Sequence, residues 1–113
     1  MAKVEIVRSL YEEILSKFKR ESVSVFRHLK SLETSPTKGK VLVNVAGITI
    51  KELKYKGFRF YFLADGFKLK FYSEEELVDV LLRFVRMSDK KHQQETINEI
   101  KQILIKIGPE GFK

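Results

Sequence analysis

The chain of 113 residues is 43% hydrophobic and 33% charged, has a formal net charge of +7 and contains no cysteine. That balance suits a folded domain with one modest core, and excludes a disordered chain, disulfides, thiolate metal sites and cysteine nucleophiles. The basic excess, with a sequence pI near 9.6, points to an acidic partner: nucleic acid, a ribosome or an acidic protein.

Taken in order, Lys3 to Val7 alternate weakly, with Val4 and Ile6 on one side, and predict a short strand. Ser9-Leu10-Tyr11-Glu12 fits a capping box, ahead of Val7, Leu10, Tyr11, Ile14 and Phe18 at helical spacing. A second helical pattern runs from about Ser22 to Glu33, with Phe26, Leu29 and Leu32 on one face. Between the two, Lys19-Arg20-Glu21 is neither a breaker nor a cap, so continuity is open. Pro36 and Gly39 mark Thr34 to Lys40 as a loop.

Val41, Val43 and Val45 alternate as a strand, and Ala46-Gly47 turns the chain into Ile48 to Phe62, ITIKELKYKGFRFYF. This stretch reads as two strands joined at Tyr55-Lys56-Gly57. Phe58, Phe60 and Phe62 alternate with Arg59 and Tyr61, the period of a strand with one buried and one partly exposed face. Arg59 and Tyr61 are thereby expected beside Lys51, Lys54 and Lys56, on a surface able to hold a polyanion.

Asp65-Gly66 then predicts a hairpin turn, and Phe67, Leu69 and Phe71 a further strand. Ser73 to Met87 fits two patterns: a capped helix through Leu77, Val80, Leu81 and Phe84, or a strand alternating with Asp79 and Arg83. Ile97, Ile100, Leu104 and Ile107 mark an amphipathic helix from near Ser88 or Asp89, which Gly108-Pro109 stops. The order gives an α+β layer fold in one domain over residues 1–113: a short N-terminal strand, two helices, an antiparallel β-meander and a C-terminal helix. No apolar run approaches the roughly 20 residues of a membrane span, and the first residues do not form a secretory n-region, so a cytoplasmic location away from membranes is expected.

A phosphate-cradling glycine loop, a nucleophile elbow and a metal-spaced cluster are all absent, so no metal or other cofactor is expected. His28 falls beside core Leu29 and reads as a surface residue. His92, in Asp89-Lys90-Lys91-His92 at the start of the last helix, joins fixed cations to a group that titrates near neutrality. If the terminal segment folds back over the meander, Arg86, Lys90 and Lys91 join Arg59, Lys54 and Lys56 in one basic pocket. Arginine and lysine can orient a phosphodiester and stabilise the charge that develops as it reacts. RNA cleavage through the 2′-hydroxyl then needs a proton acceptor and donor, for which His92, Tyr61 or a lysine of depressed pKa are candidates. Tyr61 also reads as plain sheet packing, and Glu52 as a cross-strand partner for a neighbouring lysine.

The order of elements, with Lys51-Glu52-Leu53-Lys54 and Gly57-Phe58-Arg59-Phe60-Tyr61-Phe62, resembles the RelE/ParE toxin superfamily, in particular its HigB-like branch of phage-derived host toxins. There an E-L-R/K strand is followed by a (Y/F)-R-(aromatic/apolar)-(F/Y) strand, a D-G turn, and an F-x-K-K-(S/T)-x-K segment before a final helix. Phe84-Val85-Arg86-Met87-Ser88-Asp89-Lys90 stands at that segment, and the resemblance covers residues 3 to 105. It implies the toxin of a type II toxin–antitoxin pair: a metal-independent endoribonuclease that cuts mRNA on the ribosome, inhibits translation, and is neutralised by a cognate antitoxin. A homodimer is compatible with it.

Residue by residue, the resemblance matches Arg59, Lys54, Arg86 and Lys90 to family positions and sets the Lys90–His92 cluster where the family has active-site groups. Together with the basic meander surface this gives Arg59, Lys54, Lys90 and His92 as expected catalytic residues, and Lys51, Lys56, Tyr61, Arg86 and Lys91 as expected RNA contacts. It also tips Val78 to Val85 towards a strand. The departures are a stretch inserted around Phe71 to Leu77, Met87 in place of a lysine, and no tyrosine after the basic cluster. The missing tyrosine and Met87 favour the alternative of a non-catalytic toxin-fold binder, either a ParE-like gyrase inhibitor or a degenerate member that only binds an antitoxin. A simple RNA or DNA binder is the third reading.

Overall fold

The computed structural model describes residues 2–64 and 80–113. Along the chain lie β1 (Ala2–Ile6), α1 (Arg8–Phe18), α2 (Ser22–Lys30), β2 (Lys40–Val45), β3 (Ile48–Tyr55), β4 (Phe58–Ala64), β5 (Val80–Asp89) and α3 (Gln93–Lys106). The strands form one sheet in the order β1-β5-β4-β3-β2, in which β1 runs parallel to β5 and all other neighbours are antiparallel. This is the α+β layout expected from the sequence: strand, helix pair, antiparallel meander, terminal helix.

Both hairpins turn on a residue pair with positive φ. Lys56 (φ 44°) and Gly57 (φ 82°) join β3 to β4, and Ala46 (φ 52°) and Gly47 (φ 80°) join β2 to β3. Consecutive left-handed residues twist the turn in the sense the flanking strands already have, which is why two-residue hairpins favour them. The expected turn at Asp65-Gly66, the strand Phe67 to Phe71, the cap at Ser73 and the insertion around Phe71 to Leu77 lie outside the described residues.

β4 occupies the middle of the sheet, and the run Phe60-Tyr61-Phe62-Leu63 is buried throughout. The sequence had suggested one partly exposed face, but helices cover both. On one side Phe18 of α1 packs its ring against Tyr55, Phe58 and Phe60. On the other, Gln93 and Glu99 of α3 bond Glu52 and Arg86, whose register places them in line with Tyr61. A strand covered on both faces needs apolar groups at every position, and each fully buried phenylalanine stabilises by about 1.5–3 kcal/mol.

Several local expectations are corrected, and two open ones are settled. α1 begins at Arg8 with Val7 as its N-cap and no side-chain cap, and Glu12 pairs with Arg8 rather than reaching back to Ser9. The two N-terminal helices are not continuous: a 3-10 turn at Lys19–Glu21, with Lys19 at φ 51°, separates them. α2 ends at Lys30, and Ser31–Glu33 continues as a 3-10 turn that still buries Leu32. The ambiguous segment is a strand over Val80–Asp89, so Ser88 and Asp89 close β5 instead of opening the last helix. α3 buries Ile97, Ile100 and Leu104, but Ile107 is 66% exposed because the helix stops there and Gly108 turns away at φ 101°.

Candidate functional site

The strand register lays polar side chains in two rows on the face of the sheet that α3 crosses. One row is Lys54, Arg59 and Ser88, from β3, β4 and β5 in turn, and the next is Glu52, Tyr61 and Arg86. Opposed residues of an antiparallel pair hold their Cβ atoms about 4.5–5.5 Å apart, so each row is a set of direct neighbours. Lys54, Arg59, Tyr61 and Arg86 are thus brought together, as expected from the sequence. The Lys90–His92 loop follows directly from the end of β5, beside the Lys56-Gly57 turn, because Asp89 pairs with Phe58.

Arg59 is the least ordinary member. It is only 8% exposed, and its Nε has no hydrogen-bond partner among the described residues. Leaving a buried donor unmatched costs about 1–3 kcal/mol, so the fold holds this guanidinium at the expense of stability. Tyr61 is fully buried, and its hydroxyl bonds the Ser88 hydroxyl at 2.8 Å. Burial pushes the phenol above its ordinary pKa and the Glu52 charge adds to this, with Ser88 and Arg59 opposing, so Tyr61 is a proton donor and not a ready acceptor. Glu52 was expected to pair with a lysine. It is buried at 3% exposure, and Gln93 Nε2 donates to it at 3.2 Å, which ties the first turn of α3 to the sheet.

Arg86 is not a free cation. Its Nε donates to Glu99 at 2.7 Å, its Nη1 to the Val85 carbonyl at 2.7 Å, and its guanidinium lies 5.2 Å from the centre of the Phe112 ring. Lys51 and Lys56 are separated from Arg59. Lys51 lines up with Phe62 and sits over that ring on the α1 side of the sheet, and Lys56 binds Glu21 together with the Tyr55 hydroxyl. The expected grouping of three lysines around Arg59 therefore reduces to Lys54, because alternation along β3 sends Lys51 to the other face and the turn carries Lys56 towards the helices.

At the end of β5, Asp89 accepts both the backbone N–H and the ring Nδ1 of His92, each at 2.8 Å. These bonds hold the Asp89 carboxyl below its ordinary range and push the His92 imidazole above its own. With Nδ1 committed to the carboxylate, Nε2 is left to exchange a proton with solvent or substrate. Lys90 and Lys91 are exposed.

The sequence reading missed the α1 side of this corner. β1 leaves β5 after Ile6 pairs with Phe84, so among the described residues the last half of β5 has no strand on that edge. A cleft of about 210 Å³ runs there between Glu13 and Lys17 of α1, Ser88 and Asp89 of β5, His92 of the following loop and Thr96 of α3. The protein packed around Glu13 pushes its carboxyl up, with Lys17 and Arg86 opposing. Only the four-residue spacing of Glu13 and Lys17 on an exposed helix face was visible in the sequence, and that spacing is ordinary for a solvated face. No group of three or more His, Asp or Glu among the described residues could hold a metal ion, and no described helix is long and apolar enough to cross a membrane. In comparisons with known proteins, no family model, no curated protein and no solved structure matches the chain.

Proposed function

We propose that this protein is a toxin of the RelE/ParE type that cleaves ribosome-bound mRNA and is held inactive by a cognate antitoxin. The observation that carries the reading is the Lys54–Arg59–Ser88 row, which runs into the Lys90–His92 loop at one end of the sheet. An arginine kept in a central strand with a buried, unmatched Nε fits a ligand that brings its own acceptors, and a phosphodiester does so.

In the proposed reaction the ribose 2′-oxygen attacks the adjacent phosphorus and the bond from phosphorus to the 5′-oxygen breaks. A 2′,3′-cyclic phosphate and a 5′-hydroxyl result. Lys54 and Arg59 bear the charge that builds on the phosphoryl oxygens. The Asp89-held His92, biased towards its protonated form, delivers the proton to the departing 5′-oxygen. The proton from the 2′-hydroxyl passes to a basic group of the ribosome-bound complex or to water.

Mapping transcript ends after induction tests this reading. Codon-phased cuts, with growth arrest that Arg59→Ala and His92→Ala abolish while the fold survives, are the expected result. A second reading, a non-catalytic member of the same fold, is favoured by Arg86 being fully engaged within the protein and Arg59 lying almost out of solvent. Intact mRNA together with blocked DNA supercoiling, or with antitoxin binding alone, would select it.

A further inference from the structure

A second basic surface lies where β2 stops covering β3, and its helical residues are not among the candidates named so far. Pairing of β2 with β3 ends at Lys40 and Glu52, so the remainder of the β3 edge has no strand neighbour among the described residues. α2 approaches this edge instead. His28 Nε2 donates to the Lys54 carbonyl at 2.9 Å, and its ring lies 5.5 Å from that of Tyr55.

Two open depressions meet at His28. One of about 380 Å³ is lined by His28, Gly39, Lys40 and Lys54 among others, and one of about 370 Å³ by Ser24, Arg27, His28, Lys38 and Tyr55 among others. Arg27, Lys38, Lys40 and Lys54 are all exposed, and among the described residues none has a carboxylate within 4.0 Å. Glu52 also lines the groove, with its carboxylate engaged by Gln93 on the far face of the sheet. The Glu21 carboxylate beside Tyr55 is taken up by Lys56 and the Tyr55 hydroxyl.

We propose that this groove binds the sugar–phosphate backbone of single-stranded RNA, adjoining the Arg59 site through Lys54. Four cations with no carboxylate partner among the described residues, spread over the two depressions, neutralise successive phosphates, and release of their counterions drives the association. The half-buried His28 ring, shared by both depressions, offers a π-face on which a base of any identity can stack. The Tyr55 ring backs it and is itself engaged by Lys56 and Phe18. An acidic peptide would use the cations but has no base to place on the His28 ring. A base is free to stack on such a ring only where it is unpaired, which selects a single strand. The choice of RNA as the polyanion rests on the proposed function above, whereas the groove itself rests on its own geometry.

The test is fluorescence anisotropy of the full chain with fluorescein-labelled dodecauridine across a salt series, for the wild type, the triple variant Arg27→Glu, Lys38→Glu, Lys40→Glu, and the milder triple glutamine variant at the same positions. All three residues are exposed, and circular dichroism melts confirm that each variant folds. The reversal is expected to weaken binding at least about tenfold and flatten the salt slope by about two to three, and the glutamine set to lie between it and wild type. Unchanged affinity in both folded triple variants overturns the proposal. So does a polyglutamate peptide that binds the groove more tightly than the RNA, which would mark it as an acidic-protein surface. Growth arrest surviving Arg59→Ala counts against the cleavage reading alone, and leaves the anisotropy result standing.

Discussion

The hydroxyls of Tyr61 and Ser88 share a 2.8 Å hydrogen bond that runs diagonally across two strands, since the register sets Tyr61 opposite Arg86 and Ser88 opposite Arg59. Both residues are buried, so each hydroxyl depends on the other for its hydrogen bonding. Tyr61→Phe strands the serine oxygen and is expected to destabilise the protein by about 1 kcal/mol. The double variant Tyr61→Phe, Ser88→Ala removes both polar ends, and should lose less than the two single variants combined. Urea denaturation of the four proteins measures this. Strict additivity would mean that the two hydroxyls do not depend on each other.

Arg59 makes the opposite prediction. Its guanidinium is 8% exposed and its Nε is unmatched, so a methionine of similar length should fill the same space without the polar penalty. Arg59→Met is expected to raise stability by about 1–2 kcal/mol, or roughly 4–8 °C in Tm, while growth arrest is lost. A variant that melts below the wild type would show that the arginine is held for structure.

Much of the layout was legible because the strongest local signals agree with the global fold. Alternation through Ile48 to Phe62 and glycine at the Lys56-Gly57 turn both place β3 and β4 correctly. The C-terminal helix was legible from Ile97, Ile100 and Leu104, though its start was read too early, because Asp89 caps a loop through His92 and not the helix itself. What was hidden is which strand face each helix covers. Lys51 and Lys54 look alike in sequence, yet one stacks over Phe62 and the other stands in line with Arg59. Arg86 looked like a free cation because Glu99, Phe112 and the Val85 carbonyl reach it only through tertiary packing. The basic groove at His28 was invisible for the same reason, being assembled from α2, the loop ahead of β2 and the open edge of β3.

The Asp89–His92 pair sets a pH window. His92 has its folded pKa raised, so its contribution is complete below its ordinary value of about 6.5 and fades as pH rises through the folded value. Asp89 has its folded pKa lowered, so its contribution is complete above its ordinary value of about 3.9 and fades as pH falls through the folded one. The pair therefore stabilises most between about pH 4 and pH 6.5. NMR titration of the His92 ring should give a midpoint above that of a free histidine, and Asp89→Asn should bring it down. A midpoint unmoved by Asp89→Asn would rule out the coupling.

Ala46 stands at φ 52° in the β2–β3 turn, ahead of Gly47. A left-handed backbone disfavours alanine by about 1–2 kcal/mol, whereas asparagine tolerates it, and Asn-Gly is the favoured pair for such a turn. Ala46→Asn should stabilise by about 0.5–1 kcal/mol, read as a higher midpoint in urea at unchanged slope. A lower midpoint would mean that the turn adopts another geometry in solution.

Gly39 has the opposite sensitivity, although its φ of +97° is also positive. An added Cβ would lie 2.9 Å from Phe62 Cζ and 3.0 Å from the Glu52 carbonyl oxygen, a core ring and a fixed strand atom. Neither can retreat, since Phe62 is fully buried and Glu52 is paired with Lys40. Gly39→Ala combines a strained backbone with overpacking, each worth about 1–3 kcal/mol, and is expected to cost at least about 2 kcal/mol. The cost should fall when Phe62→Leu opens space for the methyl group. A thermodynamic cycle over the two sites measures that relief. Its absence would place the strain in the backbone alone, and the chain would then cross from the loop into β2 without leaning on the core.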